Sequence, residues 1–183
     1  MKKLALALAV SASTALAQEN TESVGVTLGE AEGETNIGLY YAETKKDTIG
    51  WYIDISSNFN SGAGDDYGGR YTYYDYGLDA IVGDPETGKG VDVFSVHFGG
   101  TNSISENLFG YLGLGLYSSE EYTEYYDPYK ILGDSGHYHV VEESDLTLSI
   151  AGGLLYNVDE TVQFKVGADT GNASVNFGVG IRF

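Results

Sequence analysis

The chain contains no cysteine, which excludes disulfide staples and any thiolate metal or redox centre. Cationic side chains are scarce. Nine Lys and Arg stand against 27 Asp and Glu, a formal net charge of -18, so a phosphate backbone has no basic surface to bind and nucleic acid is not a partner. A long apolar run is also missing. The most continuous one, residues 4–10, is far short of the roughly 20 residues a helix needs to cross a bilayer. Stability therefore has to come from pairing of the backbone along strands.

That short apolar run has a context. Lys2 and Lys3 precede it, and a small-residue stretch follows that closes with Ala15-Leu16-Ala17. This is the layout of a secretory signal peptide, expected to cover residues 1–17 and to be cleaved before Gln18. Residues 18–183 then read as one domain, with no Pro- or Ser-rich linker to divide them. Their acidic excess is concentrated in residues 65–86 and 120–145, a surface that divalent cations bound at the loops would balance.

Side chains on a strand alternate between two faces, so a strand that spans a membrane with water or packing on its other face shows a period of two. Eight stretches have that period. Val24, Val26 and Leu28 alternate with Ser23, Gly25 and Thr27, and Ile37, Leu39 and Tyr41 with Asn36, Gly38 and Tyr40. In the third, Ile49, Trp51, Ile53 and Ile55 oppose Gly50, Tyr52, Asp54 and Ser56. Phe94, Val96 and Phe98 oppose Ser95, His97 and Gly99; Leu108, Leu112, Leu114 and Leu116 oppose Phe109, Tyr111, Gly113 and Gly115. The sixth sets Leu146, Leu148, Ile150, Leu154 and Tyr156 against Asp145, Thr147, Ser149, Ala151 and Gly153. Val162, Phe164, Val166 and Ala168 form the seventh apolar row, and Val175, Phe177, Val179, Ile181 and Phe183 the eighth.

The fold class expected is all-β: an eight-stranded antiparallel up-and-down transmembrane β-barrel. An even strand number puts both ends on one side, the periplasmic side if the leader is an export signal. The connections on that side, residues 44–48, 101–107 and 158–161, are short, whereas residues 58–90 and 118–144 form two long extracellular loops. A soluble lipocalin-like barrel also has eight alternating strands. Its exterior would have to be the face rich in Gly, Ser, Thr, Asn and Tyr, a poor water-facing surface. A ten-stranded barrel that recruits residues 71–82 is the other alternative.

The export leader, the eight amphipathic stretches and the ending Gly178-Val179-Gly180-Ile181-Arg182-Phe183 together resemble the small outer-membrane β-barrel superfamily, of the OmpA, OmpX and OmpW kind. A slighter likeness to the uncharacterised YfaZ-type barrels rests on residues 29–39. The resemblance spans the mature chain and implies the bacterial cell outer membrane, with outer-membrane lipid and lipopolysaccharide, periplasmic chaperones and the barrel-assembly machinery as partners. Val179, Ile181 and Phe183 match the C-terminal signal that this machinery reads. It implies a monomer, and leaves the function open among membrane-stabilising, adhesive, channel-forming and lipid-modifying members.

Several local motifs bear on chemistry. Gly83-Asp84-Pro85-Glu86-Thr87-Gly88-Lys89 has phosphate-loop spacing, but Gly90 replaces the metal-binding hydroxyl and no helix follows, so it reads as a turn. Gly133-Asp134-Ser135-Gly136 resembles a serine-protease nucleophile segment without the surrounding double barrel, and Asn172-Ala173-Ser174 is a hairpin rather than a used sequon. His137 and His139 would share one face of a strand near Asp134, Glu142 and Glu143, the raw material of a metal site; a solvated loop is the simpler reading. Ser95 and His97 with Asp54 suggest a hydrolase, the basis for the alternative of a lipid-A-modifying acyl hydrolase or transferase. Buried in the lumen they would instead form a polar cluster of Asp54, His97, Lys165, Asp169 and Arg182, and no catalytic residue, cofactor or metal is assigned. A narrow pore is the further alternative, opposed by the large aromatic residues of the fifth inner face. The two long segments are tyrosine-rich: Tyr71, Tyr73, Tyr74, Tyr76, Tyr122, Tyr125, Tyr126, His137 and His139 are a candidate binding surface, unless strands simply continue above the membrane.

Overall fold

A computed structural model describes residues 20–31, 33–58, 70–72, 84–130, 136–171 and 174–183. The leader and Tyr73, Tyr74 and Tyr76 lie outside the described residues, as do Asp134, Ser135, Asn172 and Ala173.

Nine strands occur in chain order: β1 (Asn20–Ala31), β2 (Glu34–Lys45), β3 (Gly50–Ser57), β4 (Arg70–Thr72), β5 (Glu86–Ser103), β6 (Leu108–Tyr126), β7 (His137–Asn157), β8 (Val162–Asp169) and β9 (Val175–Arg182). Eight of them form a closed antiparallel ring in sequence order, sealed by the pairing of β1 with β9. The short β4 stands outside the ring and pairs in parallel with β7, Arg70 opposite His139. The barrel is therefore eight-stranded, and the ten-stranded alternative is not formed by the described residues.

Alternation decides which residues face which way. Leu112, Leu114, Leu148, Phe98, Phe177 and Ile181 are all exposed on the exterior, although each is strongly apolar. Such a continuous apolar exterior is stable only against lipid. Tyr41 stacks on Trp51 at 4.3 Å between ring centroids, and Trp51 meets Phe98 at 6.4 Å, an aromatic group on the same outer face. Phe183 exchanges two backbone hydrogen bonds with Glu22, 2.9 and 3.2 Å, so the ladder closes to the last residue.

The lumen is filled by pairing large residues with glycine. Tyr40 lies where a Cβ on Gly25 or Gly180 would be, and Tyr111 lies where one on Gly153 or Gly167 would be. Four inward glycines on β1, β7, β8 and β9 thereby make room for two tyrosines from β2 and β6. Tyr52 completes this level, its ring 4.4 Å from that of Tyr111.

Strand extents exceed the sequence-based expectation in both long connections. Residues 118–144 are mostly strand, because β6 and β7 stay paired up to Tyr126 opposite His137. Likewise β5 begins at Glu86, so the phosphate-loop-like motif is strand at its C-terminal end rather than a turn. One bulge interrupts the long hairpin: Glu121 pairs with Glu143 and Tyr122 with Val141, leaving Glu142 as an extra residue. Above that point the two faces of β7 exchange parity. Polar side chains stand on both faces of these extensions, so the apolar–polar alternation of a membrane strand is lost there.

Replacing Gly167 by Leu should place a side chain inside the Tyr111 ring position and cost about 1–3 kcal/mol through overpacking. Gly110→Ala, whose new Cβ meets nothing closer than 3.4 Å, should be near neutral. Urea titration followed by the heat-dependent shift of the folded band on a gel distinguishes the two.

Candidate functional site

Two regions carry polar side chains in unusual settings: the lumen and the β5–β6–β7 extension. Inside the barrel, Lys165 of β8 is fully buried and forms an ion pair with Asp54 of β3. Its Nζ lies 5.3 Å from the ring centroids of Tyr40, Tyr52 and Tyr111 alike, so the ammonium sits in a cage of three aromatic faces. The other carboxylate oxygen of Asp54 is 3.4 Å from His97 Nδ1, and His97 Nε2 is 3.0 Å from Ser149 Oγ. Ser149 also accepts a hydrogen bond from the Gly171 amide at 3.1 Å.

Four of the expected lumen residues lie at neighbouring levels. Asp54, His97 and Lys165 touch in sequence, and Asp169 borders the same cavity as Asp54 and His97. Asp169 accepts from Ser174 Oγ at 2.7 Å and the Gly171 amide at 3.0 Å. Arg182 does not join them. It lies at the C-terminal rim, donating to the Asp159 carbonyl and to Thr21 Oγ1 at 3.2 Å, because its inward position on β9 pairs with Ser23 near the end of the barrel. Ser95 is likewise not bonded to His97 in this arrangement; its hydroxyl is 2.7 Å from that of Ser56.

The sequence offers Ser95 as the partner of His97, whereas the hydroxyl beside His97 is that of Ser149, 52 residues further along the chain. Alternation alone places Ser149 on the inner face, but its level depends on the register across β5, β6 and β7. The resulting order of Ser149, His97 and Asp54 has the outline of a hydrolytic triad. Its surroundings oppose that role, for Ser149, His97 and Asp54 are 1%, 1% and 6% exposed, and Asp54 is held by Lys165.

On the extension, Tyr122 stacks on His139 at 4.5 Å, Tyr125 on Tyr138 at 5.6 Å, and Tyr126 meets His137 at 5.0 Å. His139 Nε2 is 3.3 Å from Glu124. Tyr138 donates to Asp84 at 3.0 Å. His137 and His139 do share a face, yet among the described residues no group of three His, Cys, Asp or Glu is placed to hold a metal. Of the tyrosine set, Tyr122 and His139 are buried at 5% and 2% exposure and act as cross-strand packing; Tyr125, Tyr126 and His137 are half-buried, and Tyr71 lies on β4.

At the opposite rim, Asp159 accepts from the amides of Thr161 and Val162 at 2.7 and 2.8 Å, closing the turn between β7 and β8. These two bonds hold its carboxyl below the ordinary carboxylate range.

No protein-family model and no curated protein sequence matches the chain. Solved structures do. Ail, the attachment invasion locus protein of Yersinia pestis, in complex with the heparin analogue sucrose octasulfate, aligns with a TM-score of 0.56 at 14% identity, covering 92% of this chain and all 100% of that one. The outer membrane protein Ail of Yersinia pestis in a phospholipid bilayer nanodisc gives 0.52 at 14% identity, with 90% and 100% covered. The fold is thus that of the small eight-stranded outer-membrane β-barrels, and the apolar exterior agrees with that membrane setting.

Two outcomes test this electrostatic arrangement. Lys165→Met should destabilise the barrel by about 3–5 kcal/mol by leaving Asp54 buried without its partner, and the double variant with Asp54→Leu should recover most of that loss in urea titration. For Asp159 the folded-state pKa is lowered, so its contribution is whole above the usual carboxylate value and is lost as pH falls through the lowered one. The stability gap between the parent and Asp159→Asn should therefore close below about pH 4.

Proposed function

We propose that the protein is a monomeric, non-enzymatic outer-membrane barrel whose outward β6–β7 hairpin is a rigid binding platform for a cationic, extended partner. One observation carries this reading. Between the ladder with β4, which ends at Val141, and the ladder with β8, which begins at Ala151, residues 142–148 of β7 have no strand on their second edge among the described residues. All seven are exposed. An open strand edge offers unpaired backbone donors and acceptors to an added strand.

The side chains along that edge select the partner. Glu142, Glu143 and Asp145 line it, with Glu120 and Glu121 opposite on β6. Such a surface favours cationic ligands and repels a polyanion like the sucrose octasulfate bound by Ail. The same charge opposes pairing with a second copy of this edge, in keeping with a monomer. The aromatic pairs Tyr122 with His139 and Tyr125 with Tyr138 stiffen the hairpin that presents it.

The remaining partners follow from the exterior. Lipid and lipopolysaccharide cover the apolar belt, and Val179, Ile181 and Phe183 stand outward along the closing strand as a signal for the assembly machinery, with periplasmic chaperones carrying the chain before insertion. A lipid-directed hydrolase is disfavoured because an acyl chain has no route to Ser149 within the packed ring, and a pore because Tyr40, Tyr52, Tyr111 and Leu155 fill its cross-section.

The test uses the barrel in lipid nanodiscs titrated with a short alternating Lys-Val peptide. Binding should weaken by about tenfold, or about 1.4 kcal/mol, in a Glu143→Lys, Asp145→Lys variant, and should fall in high salt. Equal binding by the variant, or preference for an alternating Glu-Val peptide, would sink the reading.

A further inference from the structure

The outer half of the lumen contains a cavity that Asp54 of the ion pair borders and the hairpin does not, with room for a single particle the size of a water molecule, about 10 Å³ for its centre. Its wall is rich in oxygen. Asn36, Asp54, Ser56, Asp169, Ser174 and Asn176 all border it, the single imidazole there, His97, faces Asp54 and Ser149 with its two nitrogens, and no sulfur is present.

The hydrogen bonds of those side chains do not close among themselves. Asn36 is only 8% exposed, and its amide nitrogen donates to Ser56 Oγ at 3.2 Å. Its Oδ1 has no hydrogen-bond partner among the described residues, and the same holds for Oδ1 of Asn176. Buried acceptors of this kind are normally satisfied. Beside them, Asp169 brings a negative charge to the cavity, while Lys165, which neutralises Asp54, is not in its wall.

We propose that this cavity is a binding site for one hard divalent cation of calcium size, with Asn36 Oδ1, Asn176 Oδ1 and the Asp169 carboxylate as its principal ligands. Two amide oxygens without a protein donor stand on one cavity wall beside the negative charge of Asp169, a set of electronegative atoms that a cation serves together. With both His97 nitrogens engaged, the donors left are oxygens, which select a hard ion over zinc or copper. Magnesium keeps several of its waters, for which the cavity has no room; calcium exchanges them for protein oxygens, and the hydroxyls of Ser56 and Ser174 can complete its shell.

The experiment is calorimetric titration of the chelator-treated, detergent-extracted barrel with calcium chloride, and separately with magnesium chloride. One calcium per chain should bind, in preference to magnesium. Asn176→Leu and Asp169→Asn should each weaken it by at least about tenfold. A surface variant, Glu142→Gln with Glu143→Gln and Asp145→Gln, should leave it unchanged. A parent barrel that binds no stoichiometric calcium would mean that the cavity holds water only, and the proposal falls. Calcium binding lost in the surface variant but kept in the lumen variants would overturn it equally. Should a lumen variant fail to show the heat-dependent gel shift of a folded barrel, the parent alone decides: its urea midpoint must rise with calcium and not with equal magnesium.

Discussion

An eight-stranded ring encloses a space that its own side chains must fill, and in this chain the filling depends on tyrosines lying over glycines. Tyr40 occupies the positions that Cβ atoms of Gly25 and Gly180 would take, and Tyr111 does so over Gly153 and Gly167. The arrangement does more than exclude voids. Because three tyrosine rings stand at equal distance from Lys165, an ammonium can be kept in the middle of the barrel beside a single carboxylate. A buried charge pair is costly without such compensation. Packing at one level thus permits the polar network above it, where Asp54 passes to His97 and His97 to Ser149.

How much of this was visible in the sequence follows from which physical rule each feature obeys. Face assignment obeys alternation, and alternation survives in a single strand; hence Leu112, Leu114 and Phe177 were read as outward and Tyr111, Asp54 and His97 as inward, as the structure has them. Height within the lumen obeys register between strands that are far apart in the chain. Arg182 and Lys165 are both inward, yet they sit at different levels, and Ser149 rather than Ser95 meets His97. No local pattern carries that information. The extended parts of β6 and β7 stood in the sequence only as an alternative to loops, for a third reason: past Leu146 in β7 and Leu116 in β6, glutamate and tyrosine occupy both faces, so the polarity contrast that reveals a membrane strand is gone. The bulge at Glu142 then shifts the phase as well.

The likeness to Ail concerns the path of the backbone, at 14% identity of the side chains along it. A shared barrel says little about ligands, since recognition resides in the parts that leave the membrane. Among the described residues, β6 and β7 carry those parts on as paired strand. Cross-strand aromatic pairs at Tyr122 with His139 and Tyr125 with Tyr138 give the hairpin an ordered interior of its own. Asn58 contributes on the other side, accepting from the Val93 amide at 2.9 Å and donating to the Val91 carbonyl, so that the edge of β5 is capped where β3 ends. The edge of β7 has no such cap over residues 142–148 among the described residues, and the contrast between the two edges marks the second as the one available for pairing.

This geometry constrains how any partner is recognised. β6 and β7 run without a break from the lumenal level of Tyr111 and Ser149 to the tip at Tyr126 and His137, and their ladder is interrupted only at the bulge. Moving the hairpin against the barrel would therefore require breaking backbone hydrogen bonds in a region anchored by the packed lumen. A partner added to the β7 edge meets a surface already in its bound shape, and the ordering cost falls on the partner alone. Recognition by a preformed edge rewards an extended chain of complementary charge more than a particular side chain at each position, because the main-chain bonds are common to all sequences. Specificity then has to reside in the acidic residues that flank the edge, Glu142, Glu143 and Asp145, and in their spacing across the bulge.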